Sequence, residues 1–343
     1  MKKNMKKSVL AFLIFVIVFL FGLNFFSKLM VPKDGEIAPA INGLYQQKKD
    51  SIDVLVLGDS SIYRSVNPAL IWEENNLTSY VIGAPSARIY TLYYLLEEAL
   101  KKQTPKLVVI ESNCVFNNHE YTEGNKRKVI DNMKLSKNKI NMINDDVFNF
   151  TSEQKLKMLF PISLYHNRYN DITIQDVKKT LFGYGSKFNG FVMSDKIKPY
   201  LGDLDYMKKD TEDKLGNTER KYLSKIESLC KSHNIPLLYL KVPGAREWNK
   251  TKNELMTTYA QEKNISYLDL NLNMKNPVNW SMDTLDKGVH LNTQGAIKTT
   301  KELNEYIRKH YHFDKINHDS EKDKYDEMLR KYRQKLNKKH SSI

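Results

Sequence analysis

The sequence predicts an α/β fold, a mostly parallel sheet flanked by helices and preceded by one transmembrane helix. Short apolar runs of strand length recur along the chain, and amphipathic helical stretches separate them. The third observation is an uncharged apolar stretch near the N-terminus. Strands buried on both faces read as continuous apolar runs, and their alternation with helices is the pattern of a parallel sheet covered on both sides.

The first element is the stretch Ser8 to Ser27, which carries no charge. Twenty helical residues at about 1.5 Å each span roughly 30 Å, the hydrocarbon thickness of a bilayer. Lys2, Lys3, Lys6 and Lys7 precede it, and Lys28 and Lys33 follow. The denser positive flank predicts a cytoplasmic N-terminus with the rest of the chain outside the cell membrane. A cleaved signal peptide is the competing reading, but its small-x-small cleavage pattern is absent. The residues therefore divide into an anchor at 1–30, a polar stem at 31–50, a main domain at 51–312 and a charged helical tail at 313–343.

Within the main domain, Ile52 to Leu57 reads as a strand ending at Gly58-Asp59-Ser60-Ser61. Ser79 to Ile82 is a second strand before Gly83, Tyr90 to Lys102 a helix, and Leu107 to Ile110 a strand before Glu111-Ser112-Asn113. Residues from about 117 to 215 read as an insertion or cap, with helices at 155–164 and 173–181. Regular alternation returns with a helix at 219–233, a strand at 236–240, a helix at 249–263 and a strand at 265–268. The last helix of the domain is Thr293 to His310. In such sheets ligands bind in loops beyond the carboxyl ends of the strands, where Ser60, Gly83 and Asn113 fall.

Composition narrows the classes. A formal charge of +14 asks for an anionic partner, yet it is spread along the chain and no nucleic-acid-binding motif accompanies it. With an anchor in front, a membrane surface or an anionic cell-surface polymer is the expected partner, and nucleic acid is not. Two cysteines, Cys114 and Cys230, match no zinc spacing and make no disulfide framework, though a single bridge between them is open. No cofactor or metal site is expected. His119-Glu120 lacks the second histidine of a zinc-protease motif, and His310-Tyr311-His312 lacks a third ligand.

A serine directly after a buried strand sits on an exposed turn, although Asp59 or Ser60 capping the next helix is the commoner use of these residues. A serine hydroxyl needs a base within hydrogen-bond reach, and histidine suits that task near neutral pH. His290 follows two aspartates in Asp283-Thr284-Leu285-Asp286-Lys287-Gly288-Val289-His290, and either Asp286 or Asp283 can orient its ring. His166 and Arg168 could bind an anionic acceptor, with packing of the insertion as the plainer reading.

Together these segments resemble the SGNH, or GDSL, hydrolase family over roughly residues 51–310. The resemblance implies a three-layer α/β fold with Ser60 as nucleophile, His290 as base and Asp286 as its acid. It also implies an oxyanion hole formed by Gly83 and Asn113. The anchored layout is similar to accessory proteins that work beside membrane-bound O-acyltransferases in teichoic acid D-alanylation and exopolysaccharide O-acetylation. That likeness implies transfer of an acetyl or D-alanyl group to or from a cell-surface polymer. A surface carbohydrate esterase and a non-catalytic anchored scaffold are the alternatives.

Overall fold

The computed structural model describes residues 2–116, 119–210, 212–313 and 318–340. Five strands form one parallel sheet in the order β2-β1-β3-β4-β5: β1 Val54–Gly58, β2 Ser79–Gly83, β3 Leu107–Glu111, β4 Leu237–Lys241 and β5 Ser266–Asp269. Every residue of the first four strands is buried. The central pairing sets Val54 beside both Ser79 and Leu107, so β1, β2 and β3 end at the same level. That common end is where the site forms.

In chain order the helices are α1 Lys2–Met30, α2 Ile37–Gln46, α3 Ser60–Ser65, α4 Pro68–Asn75 and α5 Ile89–Leu100. Helix α6 Asn113–Phe116 follows β3, and the insertion contributes α7 Glu123–Ile130, α8 Lys137–Asn144, α9 Ser152–Leu159, α10 Ile162–Tyr165 and α11 Ile174–Phe182. Then follow α12 Asn217–Ser232, α13 Lys250–Lys263, α14 Thr293–His310 and α15 Asp319–His340. They flank the sheet, with α5 packed on α12 and α14 packed on α3 and α4. Ser136, Thr151, Thr173 and Asn249 each cap a helix by accepting a backbone N–H, which explains why these helices start where they do.

Helix α1 includes the apolar segment Met5–Met30, long and apolar enough to cross a membrane, with side chains such as Phe12, Phe15 and Ile17 exposed. Its C-terminal carbonyls would otherwise lack partners. The Lys33 ammonium turns back and donates to the carbonyls of Lys28, Leu29 and Val31 at 2.8, 2.9 and 3.1 Å. Arg168 donates to Met30 O at 2.6 Å, and α10 and α11 pack along the end of α1.

Residues 31–50, read from sequence as a polar stem, carry α2 instead. Its buried Ile37, Ile41 and Leu44 join the main core, and the helix packs on β2. Their spacing is that of an amphipathic helix, masked in the sequence by the surrounding Pro and Gly residues. The charged tail is likewise part of the body. Tyr325, Met328 and Tyr332 of α15 are buried with Trp72, Phe188 and Phe191 in a second apolar cluster. The Tyr325 hydroxyl donates to Ser79 O at 2.9 Å and accepts from Ser79 N at 3.0 Å.

The insertion packs into the main core through Met142, Ile143, Phe148 and Met158. After α11 the chain runs as an extended strap along the β2 edge. Val81 N donates to Asn189 O at 2.9 Å, and Val192 N donates to Tyr63 O at 2.9 Å. Further on, Lys198 N donates to Thr284 O at 3.0 Å, and Lys287 N donates to Lys198 O at 3.1 Å. The strap therefore covers an edge strand and ties the helix after Ser60 to the loop of His290. Cys114 and Cys230 are both buried and both free thiols, so the bridge left open by the sequence is not formed.

Candidate active site

Ser60 opens α3 immediately after β1. Asp59 caps this helix, its carboxylate accepting from Ser61 N at 2.8 Å. The capping alternative thus describes Asp59, and Ser60 is free to point at the carboxyl end of the sheet. The Ser60 hydroxyl lies 2.7 Å from Nε2 of His290.

His290 is supplied by the loop before α14. That loop folds back on itself through a bridge between Thr284 and Leu291, with Leu285 N donating to His290 O at 3.1 Å. Lys287 and Gly288 both take positive φ values, +66° and +88°. The turn needs glycine at 288 for a second reason, since a Cβ there would sit 2.8 Å from Ala245 Cβ. This path returns Asp286 beneath the imidazole. One carboxylate oxygen accepts from His290 N at 2.7 Å, and the other lies 2.5 Å from His290 Nδ1. Half-burial opposes the charge on Asp286, but the hydrogen bonds from His290 and the nearby Arg64 guanidinium hold its carboxyl below the ordinary range.

Asp283, the alternative acid, faces elsewhere. It is buried, pairs with the Lys298 ammonium at 2.7 Å and accepts from Asn279 N at 2.8 Å. The chain Ser60–His290–Asp286 has the order of a nucleophile, a general base and an orienting acid. His290 and Asp286 are partly exposed, so a substrate has access from the loop side.

Gly83 and Asn113 come to the same end of the sheet. A Cβ on Gly83 would lie 2.6 Å from Asp59 O, so only glycine permits this approach of β2 to the start of α3. Asn113, at the start of α6, donates one amide hydrogen to the Asp59 carboxylate at 2.8 Å. Its second hydrogen remains for another acceptor. Serine, histidine, aspartate, glycine and asparagine from four separate segments, His290 and Asp286 sharing one loop, are thus brought together.

Three site neighbours were not legible in the sequence. Arg64, one turn after Ser60, pairs with Glu36 at 2.5 Å and so links the segment following α1 to α3. Glu111 is fully buried below the site, where burial pushes its carboxyl up to about 7, against the pull of the Lys241 ammonium 3.2 Å away. Trp248 shields this pair, its ring 5.5 Å from the Lys241 ammonium and its indole N–H donating to Asp269 at 2.8 Å. Only the odd appearance of a charge at the end of an apolar strand signals such a pair.

Other sequence candidates lie apart from the triad. His166 is exposed and its ring contacts Ser163 O at 3.3 Å, while Arg168 holds the end of α1. His119 lies 3.0 Å from Glu247, and His310 stacks on Tyr306.

No family model and no curated protein matches the chain. Solved structures similar to it include an acylhydrolase, a GDSL-like lipase and a carbohydrate acetylesterase family member. One, described as an acylhydrolase of Bacteroides fragilis, is 15% identical over 80% of this chain and 99% of its own, with a TM-score of 0.38. A GDSL-like lipase of Bacteroides thetaiotaomicron is 11% identical over 80% of this chain and 99% of its own, with a TM-score of 0.37. A carbohydrate acetylesterase family member of Sinorhizobium meliloti is 9% identical over 75% of this chain and 98% of its own, with a TM-score of 0.31. These likenesses are too distant to argue function from. The geometry of the three side chains carries the reading below.

Proposed function

We propose that the chain is a membrane-anchored serine acyl-ester enzyme working outside the cytoplasm, with Ser60, His290 and Asp286 as its catalytic triad. The single observation behind it is the continuous hydrogen-bond chain from Ser60 Oγ through both ring nitrogens of His290 to Asp286. A scaffold has no use for a serine held this way.

In this reading Ser60 Oγ attacks the ester carbonyl while its proton passes to His290 Nε2. Asp286 stabilises the imidazolium that results. The oxyanion is met by the Ser60 and Gly83 N–H groups and by the second amide hydrogen of Asn113, each such donor being worth about 10²–10³ in turnover. His290 returns the proton to the leaving alcohol, leaving an acyl group on Ser60. An acceptor hydroxyl then gives its proton to His290 and takes the acyl group, while His290 returns that proton to the departing Ser60 Oγ.

The finer assignment is to the acceptor. We propose a hydroxyl of an anionic cell-surface polymer, with a membrane-bound O-acyltransferase as the partner that brings the acetyl or D-alanyl group across the membrane. The supporting features are the apolar α1 in front of the triad domain and the net positive charge.

The test is p-nitrophenyl acetate cleavage by the full chain in detergent, with and without added polymer. Release abolished by both Ser60→Ala and His290→Ala is expected, with acetylated polymer as a product when polymer is present. Activity unchanged by Ser60→Ala would remove the proposed nucleophile. Release with no acyl transfer to any polymer hydroxyl would make the chain an esterase.

A further inference from the structure

We infer that the cleft beside the end of α1 binds the phosphodiester headgroup of an anionic membrane lipid. This rests on the reading of α1 as an anchor and is independent of the ester chemistry. The cleft encloses about 380 Å³, and its walls include Lys28, Lys33, Lys134, Lys179, Tyr45 and Tyr184.

The ammonium groups of Lys28, Lys134 and Lys179 have no carboxylate within ion-pair distance among the described residues. Lys134 lies over the Tyr45 ring at 4.6 Å and Lys179 over the Tyr184 ring at 5.5 Å. Those aromatic faces orient the ammoniums without neutralising them. Lys33 is spent on the α1 carbonyls and adds its charge to the same wall. The carboxylate in the lining, Asp131, is already taken by Arg127 at 3.0 Å and by the Tyr165 hydroxyl at 2.8 Å. Three unmatched positive charges around a concavity form a site for a compact anion with several acceptor oxygens.

Two features select a lipid over a soluble phosphate. Lys28 is in the last turn of α1, which puts the cleft at headgroup depth when α1 spans the bilayer. On the same rim, Leu181 and Phe182 are 58% and 76% exposed, apolar side chains that water does not favour and acyl chains do. The lysines would hold the phosphate while these two side chains enter the adjoining hydrocarbon. The insertion helix α11 thereby gains a role: it closes the cleft and sits on the membrane beside the anchor.

Native mass spectrometry of the full chain in micelles tests this, with equal amounts of phosphatidylglycerol and phosphatidylcholine added. Wild type is expected to retain phosphatidylglycerol preferentially. The variant K28Q/K134Q/K179Q should lose roughly five-fold of that preference per lysine, about a hundred-fold in all. The charge-preserving K28R/K134R/K179R should keep it, which separates lost charge from lost folding. Equal retention of the two lipids by wild type, or an undiminished preference in the glutamine variant, overturns the inference. Binding of glycerol 1-phosphate without lipid preference assigns the cleft to soluble phosphate and overturns the lipid assignment. The intact mass also reports whether α1 is retained, and its removal would overturn the anchor reading together with the cleft.

Discussion

Asp283 pairs with Lys298 at 2.7 Å, while Asp286, three residues on, holds both the backbone N–H and the ring of His290. Two aspartates in one loop thus have separate work. Asp286→Asn is expected to lower turnover by roughly 10³–10⁴ with little effect on folding, because the amide disturbs the imidazole tautomer. Asp283→Asn should stay within about tenfold of wild-type turnover but lose about 1–3 kcal/mol of stability, since Lys298 keeps its charge and loses its partner. Ester hydrolysis and thermal unfolding of both variants decide it. An inactive Asp283→Asn beside an active Asp286→Asn would reverse the roles.

The oxyanion side offers a contrast between two substitutions. Asn113→Ala should cost about 10²–10³ in turnover through loss of its amide donor. Gly83→Ala forces a Cβ against Asp59 O at 2.6 Å, so it should lower both the unfolding temperature and the activity. If Gly83→Ala proved as stable and as active as wild type, β2 would not approach α3 as described.

Helix α15 is the least expected support of the sheet. Tyr325→Ala removes a fully buried ring and both hydrogen bonds to Ser79, and should destabilise the chain by about 3–5 kcal/mol. Chemical unfolding of the full chain measures this. A loss below about 1 kcal/mol would mean that the tail contributes little to the fold.

The pH dependence follows from Glu111. Its carboxyl is raised from 4.5 to about 7 by burial, so folding favours the neutral form. That contribution is complete below about pH 4.5 and is lost as pH rises through 7. Glu111→Gln cannot titrate there, so its stability relative to wild type should improve between those pH values by on the order of 3 kcal/mol. A difference that stays flat from pH 4.5 to 7 would show Glu111 charged throughout.

Strands β1 to β4 were readable because burial on both faces demands largely apolar runs, as in Val54 to Leu57 and Leu107 to Ile110. Ser60 and His290 were readable because their flanking strand and helix fix where they fall. The strap at 187–200 was not, since its register on β2 is set by backbone hydrogen bonds, which leave no side-chain pattern. The tail was read as helical, but the packing of α15 on the body was hidden by charge. Tyr325, Met328 and Tyr332 face inward with Leu329 and Leu336 packed beside them, but the solvent-facing charges dominate its composition. Choosing between Asp283 and Asp286 required the loop path through Lys287 and Gly288, whose positive φ values no spacing rule supplies.

The most direct test of the central claim is labelling of the full chain with a fluorophosphonate, followed by peptide mass spectrometry. A single covalent adduct on Ser60 is expected, formed fast in wild type and slowed by orders of magnitude in His290→Ala. An unlabelled Ser60, or a Ser60 adduct that forms at the same rate without His290, would contradict it.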